Sequence, residues 1–135
     1  MRLVSTAPSN TEIVRSLGME DQLVGTTVLS PLDTAKVGGW TSVDCNAVEG
    51  LEPDLVLACD RLQDDAVEEL RKREVDVLHL TPRTLEDVLG SFLELGSCLG
   101  VPWKAESLVS RFRRTLDGVD IDGRVYCEEW TDPPM

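Results

Sequence analysis

A chain of 135 residues, 41% of them apolar, is long enough for one hydrophobic core and too apolar to remain disordered. Twenty-five Asp and Glu oppose 13 Lys and Arg, a net charge of −12, and the only lysines are Lys36, Lys72 and Lys104. Such a surface repels nucleic-acid phosphates and anionic lipid heads, and it suits concentrated salt, where screening removes self-repulsion. The expectation is an acidic, halophilic protein whose melting temperature rises with potassium chloride.

Arg2 to Thr6 is β-rich and ends at Ala7-Pro8. Ser9-Asn10-Thr11-Glu12 has the form of a capping box, in which Ser9 caps a helix and Glu12 reaches back. That helix carries Ile13, Val14 and Leu17 on one face and stops at Gly18. A second strand follows over Gln22–Thr26, then an irregular loop over Val28–Lys36. Gly38 and Gly39 make a sharp turn that carries Trp40, and Asp44 caps a short helix to Leu51. Pro53 resets the backbone before an apolar strand, Asp54 to Cys59. Gln63 to Arg73 is amphipathic, with Val67 and Leu70 inward and Glu68, Glu69, Arg71 and Lys72 outward. Asp76–Leu80 is the next strand. Thr84 then caps a long helix through Leu99 that is expected to bury Leu85, Val88, Leu89, Phe92 and Leu95. Gly100 and Pro102 end it, and a further helix runs from Trp103 to about Leu116. After a polar link, Asp117–Gly123, the segment RVYCEE reads as a strand with nothing behind it to cover its faces, like the opening of a second unit.

Strands alternating with helices at this spacing predict an α/β fold: a three-layer, Rossmann-like lobe with a mostly parallel sheet of about four strands and helices on both faces. Ligands of such sheets sit beyond the carboxyl ends of the strands. The loops Ala7–Asn10, Cys59–Gln63 and Thr81–Thr84 form that rim together with Trp40. Trp40 there is either a ligand platform or a cap on the core. The helix start at Ser9 can hold an anion, or its N–H groups are satisfied by Ser9 itself.

Other chemistries find little support. Cys45, Cys59, Cys98 and Cys127 lack the close-pair spacing of a zinc or iron–sulfur site, so no metal is expected. Three of them fall in expected helices or strands, where free Cys acts as a small hydrophobe. His79, the single histidine, lies inside a strand and reads as a core histidine rather than a base. No Ser–His–acid set or glycine-rich phosphate loop is present, and Asp60, Asp64 and Asp65 read as a solvated helix start, so no enzyme is expected. No apolar run is long enough to cross a membrane. The first strand follows Met1 directly, giving a cytoplasmic expectation; a leader removed beforehand would make the protein extracytoplasmic and membrane-associated.

The motifs MRLVSTAPSNTEIVRSLG, QLVGTT, VGGWTSVD, LEPDLVLACD and VLHLTPRTLEDVLGSFLELG, in that order, resemble the amino-terminal lobe of the substrate-binding proteins of ABC importers. The class is the one handling cobalamin and iron–siderophore complexes, and the likeness is closest to cobalamin-binding members. It implies two α/β lobes joined by a long rigid helix, with ligand gripped between them. On that likeness residues 1–102 are the ligand-binding lobe, 103–117 the connecting helix, and 118–135 the start of a truncated second lobe. The cleft-facing positions carried over are Ser9, Asn10, Trp40, Cys59, Asp60, Arg61, Pro82 and Arg83, with Trp40 matching an aromatic that packs on the corrin ring. The implied ligand is cobalamin or a related corrinoid, or another metal chelate, with no covalent cofactor; the implied partner is the ABC transporter permease. The transporter-docking acid of some members falls at Asn46, with Asp44 and Glu49 beside it. The loop VLSPLDTAK is shorter than its counterparts and lacks their aromatics, and Cys59 stands where a second cleft Trp can occur. The alternative from another class is a self-associating module, a homodimer formed through the open cleft face or the terminal strand, which strictly monomeric light scattering would remove.

Overall fold

The computed structural model describes residues 1–120, 122 and 123. Five strands, β1 (Leu3–Ser5), β2 (Leu23–Thr26), β3 (Ala35–Lys36), β4 (Leu55–Cys59) and β5 (Val77–Leu80), form one parallel sheet in the order β3-β2-β1-β4-β5. Five α-helices connect and flank them: α1 (Pro8–Ser16), α2 (Cys45–Gly50), α3 (Asp64–Lys72), α4 (Leu85–Cys98) and α5 (Pro102–Asp117).

Successive strand residues point to opposite faces, and the two cores divide along that alternation. Leu3 and Leu57 point to the face covered by Ile13, Val14 and Leu17 of α1, Leu95 of α4, and Ala105 and Leu108 of α5. Their neighbours Val4 and Val56 point to the other face, against Val37, Val48 of α2 and Leu70 of α3. With both faces covered, β4 is apolar throughout, LVLAC.

Element ends follow their caps. Asp44 Oδ1 accepts from Asn46 N and Ala47 N at 3.0 Å each, opening α2. Thr84 opens α4 with a full capping box: its hydroxyl accepts from Asp87 N at 3.1 Å, and its own N–H donates to Asp87 Oδ2 at 2.9 Å.

Four expectations are corrected. The sheet has a fifth strand, because Ala35 and Lys36, inside the expected irregular loop, pair with Gly25 and Thr26. Lys36 Nζ holds that loop by donating to Leu32 O at 2.7 Å, Ser30 O at 3.0 Å and Thr26 Oγ1 at 3.2 Å. Ser9 does not cap α1: Pro8 occupies its first turn, Ala7 is the cap residue, and Glu12 pairs with Arg15 at 2.9 Å instead of reaching back. On α4, Leu89 and Leu95 are buried and Phe92 packs edge-on to Phe112, but Leu85 is 54% and Val88 40% exposed. Both lie at the start of α4, whose buried residues, Leu89, Ser91, Leu95 and Gly96, all come later in the helix. Cys98, also on α4, is exposed, while Cys45 and Cys59 are half-buried free thiols. The strand expected over 124–129 lies outside the described residues. Among the described residues no helix is long and apolar enough to cross a membrane.

Candidate functional site

From β1 the chain moves outward to β2 and β3, then returns past β1 to β4 and β5. The order therefore reverses beside β1, and a crevice opens at the carboxyl ends of β1 and β4. Asn10 and Gln63 fill its floor. Asn10 is 1% exposed and donates Nδ2 to Ala58 O at 3.1 Å. It is a brace between α1 and β4, not the cleft-facing ligand residue expected from the resemblance.

Gln63, also 1% exposed, ties the rim together. Its Oε1 accepts from Cys59 N at 3.0 Å and from the Thr6 hydroxyl at 2.9 Å, and its Nε2 donates at 2.7 Å to both Thr6 O and Trp40 O. One buried amide thus joins the end of β1, the end of β4 and the Trp40 turn. The residue reading missed this role, although Gln63, Val67 and Leu70 share the i, i+4, i+7 spacing of the inward face of α3.

Trp40 rides on a tight turn closed by a bridge between Gly38 and Val43 and by Gly39 N donating to Ser42 O at 3.2 Å. Gly38 is obligatory there: its φ is +96°, and a Cβ would collide with the Ser42 carbonyl oxygen. Trp40 is half-buried and lines a recess of about 320 Å³ with Val43, Cys45, Leu62, Gln63 and Ala66. Its turn leaves from β3 and is fastened through Gln63 to the ends of β1 and β4, so it stands at the carboxyl edge of the sheet.

On the far side of the crevice Asp60 departs from ordinary backbone geometry, with φ 70° and ψ 156°, a region nearly confined to glycine. Four hydrogen bonds hold it: Asp60 N donates to Leu80 O at 2.9 Å, Asp60 Oδ1 accepts from Leu62 N at 3.0 Å, and Asp60 O accepts from Gln63 N at 3.2 Å and lies 2.8 Å from His79 Nε2. A carbonyl only accepts, so this contact requires the proton on Nε2. Through Nε2, His79 braces the Asp60 carbonyl. Asp60, Arg61, Thr81, Pro82 and Arg83 line a second recess of about 380 Å³.

Ser9 is exposed at the start of α1, beside Cys59. Burial pushes the Cys59 thiol up, with the Ser9 hydroxyl partly opposing, so Cys59 stays protonated at neutral pH and is a poor nucleophile. Among the described residues no group of three or more His, Cys, Asp or Glu is placed to hold a metal ion.

The three docking candidates lie together on α2 and its cap, and two of them share one partner. Arg73 donates to Asn46 Oδ1 at 2.7 Å and to Glu49 Oε2 at 2.8 Å, and it also binds Glu69. Asp44 is committed to capping the same helix.

A sequence profile described as periplasmic binding protein matches residues 3–121. The chain belongs to the periplasmic binding protein family. Its members are binding proteins, and the enzyme alternative is set aside on that finding. The chain is 32% identical to YvrC of Bacillus subtilis strain 168, an uncharacterized ABC transporter substrate-binding lipoprotein, over 99% of this chain and 48% of the relative. It is 27% identical to the vitamin B12-binding protein of Pectobacterium carotovorum, over 98% of this chain and 53% of that protein. The crystal structure of a periplasmic heme binding protein from Pseudomonas aeruginosa superposes with a TM-score of 0.77 at 29% identity, covering 86% of this chain and 44% of that one. The periplasmic vitamin B12 binding protein BtuF of Vibrio cholerae shares the fold, with a TM-score of 0.76 at 23% identity over 86% of this chain and 48% of that one. The chain spans about half the length of the curated relatives it matches.

Proposed function

We propose that the chain is the amino-terminal ligand-binding lobe of a substrate-binding protein that delivers a corrinoid, or another metal chelate, to an ABC importer. The observation that carries the reading is Trp40, held on a glycine turn at the carboxyl edge of the sheet and fastened there by a buried amide. A flat macrocycle is gripped by aromatic faces and by burial of apolar area, and Trp40 supplies such a face. The relatives named for vitamin B12 and heme support a ligand of this shape. In this reading Ser9, Trp40, Cys59, Asp60, Arg61, Pro82 and Arg83 surround the ligand. Helix α5 connects to a second lobe, whose start is residues 118–135. Delivery to an importer places the working protein outside the cytoplasmic membrane. Asp44, Asn46 and Glu49 form the permease-facing corner, with Arg73 holding Asn46 and Glu49 in fixed positions.

A lobe that makes half of a clamp gives up half of its contact area. At roughly 25 cal/mol per Å² of apolar surface, that loss removes several kcal/mol, or orders of magnitude in affinity. Titrating cobalamin, cobinamide and haemin into the 135-residue chain, followed by visible spectrum and Trp fluorescence, tests the proposal. The expected result is saturable binding of at least one of them, weaker than micromolar. Submicromolar binding contradicts the half-clamp, and no response to any of the three contradicts the ligand class.

A further inference from the structure

The two edges of the sheet are not alike. On one side it ends in β3, two residues long and carrying Lys36. Shortness and lysine are what keep an edge from pairing with another chain. On the other side it ends in β5, Val77-Leu78-His79-Leu80, with no lysine, acid, proline or glycine among them. Val56 N donates to Asp76 O and Asp60 N to Leu80 O, at 2.9 Å each, so alternate residues of β5 turn their main-chain groups to β4. Val77 and His79 therefore turn theirs outward. Val77 O receives a long contact from Arg71 Nη2, at 3.4 Å. Among the described residues Val77 N, His79 N and His79 O make no hydrogen bond.

Space flanks this edge on both faces. His79 lines a recess of about 510 Å³ with Asp64, Val67, Glu68, Arg71 and Lys72 of α3. It lines another of about 390 Å³ with Asp87, Gly90, Ser91 and Glu94 of α4. Glycine weakens a helix interior, yet Gly90 stands in the middle of α4, and a Cβ there would meet nothing within 4 Å. The slot is thus open between two helices, with unused donors and acceptors along its base.

We propose that a second copy of this chain adds its own β5 antiparallel to this edge, so that one sheet runs through both copies. Centred on Leu78, the pairing joins Val77 to the partner's His79, and His79 to the partner's Val77, through the outward N–H and C=O groups of both. Leu70 of α3 shares a core with Val56 of β4 and Val77 of β5, so α3 lies over those two strands. With strands about 4.8 Å apart, the two α3 helices then stand about 10 Å apart, an ordinary packing distance. The two-fold axis sets them antiparallel, and α3 is self-complementary in that arrangement: Asp64 and Asp65 open it, Arg71 and Lys72 close it. Asp64 faces the partner's Lys72, and Lys72 the partner's Asp64, which favours a second copy over an unrelated strand. Because the paired strands run in opposite directions, the two crevices at the strand carboxyl ends open at opposite ends of the dimer, and neither is blocked. This interface is separate from the cleft face and from the terminal segment, and it does not rest on the ligand proposed above.

Sedimentation equilibrium of the 135-residue chain over a concentration series is the test. It is repeated at rising potassium chloride, because a charge of −12 on each copy opposes association until it is screened. The expected result is a reversible monomer–dimer equilibrium in which the Val77 and His79 amide protons gain exchange protection as dimer forms. Val77→Pro removes a donor that the fold leaves unused, and it is expected to weaken the dimer by about tenfold or more with an unchanged circular dichroism spectrum. Lys72→Glu is expected to weaken it by about threefold to tenfold, and Asp64→Lys together with Lys72→Glu to recover most of that loss. A chain that stays monomeric at every concentration and salt overturns the proposal. So does a dimer whose Val77 and His79 amides exchange as in the monomer, or one that Val77→Pro and Lys72→Glu leave as tight as the parent's.

Discussion

Replacing Gln63 by leucine is expected to lower the unfolding free energy by about 3–5 kcal/mol, since each buried polar group left without a partner costs about 1–3 kcal/mol. The substitution keeps the side-chain bulk but orphans Cys59 N, Thr6 O and Trp40 O at once. The Thr6 hydroxyl keeps Leu57 O as an acceptor at 3.1 Å and adds little to the loss. For a domain of this size the melting temperature should fall by roughly 10–20 °C. Gln63→Glu should not rescue it, because a carboxylate has no N–H to offer the two carbonyls and would itself be a buried charge. Chemical denaturation of the three proteins measures this directly. A loss below about 1 kcal/mol for Gln63→Leu would mean that the amide does not hold the rim.

Much of the fold was legible because its boundaries are written in residues with one physical use. Pro53 stops α2 from running on, Thr84 and Asp87 make a reciprocal cap, and Gly100 with φ +72° ends α4. The strands LVS and LVLAC are buried on both faces, and such apolar runs between helical patterns specify a parallel sheet. What escaped depends on tertiary contact. A two-residue strand such as β3 has no periodicity; it exists because Thr26 Oγ1 meets Thr34 Oγ1 at 2.7 Å and Lys36 pins the loop. Leu85 and Val88 share the apolar spacing of α4 yet stay exposed at its start, where burial begins only at Leu89, and helical spacing does not encode that.

The site divides in the same way. Trp40, Cys59, Asp60, Arg61, Pro82 and Arg83 fall on the rim because loops at strand carboxyl ends must lie there once the sheet is parallel. Asn10 follows an exposed Ser9 on a helix start, yet the helix turns it inward to Ala58. Sequence spacing alone does not separate those two neighbours. Gln63 is polar on an apolar stripe, and its burial becomes intelligible only when the orphan groups of three loops converge on it.

Trp40→Ala is the second substitution with a large expected effect, and it acts on binding rather than folding. The ring is half-buried and its turn is closed by Gly38, Gly39, Ser42 and Val43, so the fold should survive its removal. Losing an aromatic platform that a flat ligand covers costs about 1.5–3 kcal/mol, or about tenfold to a hundredfold in affinity. Trp103, exposed on α5 at 62%, is the matched control: Trp103→Ala should leave affinity unchanged.

The most direct measurement is therefore a parallel titration of cobinamide and haemin into the parent chain, Trp40→Ala and Trp103→Ala, read by visible absorbance. The account predicts that whichever ligand binds the parent loses about tenfold or more of its affinity in Trp40→Ala alone. Equal affinities for the parent and Trp40→Ala would contradict it.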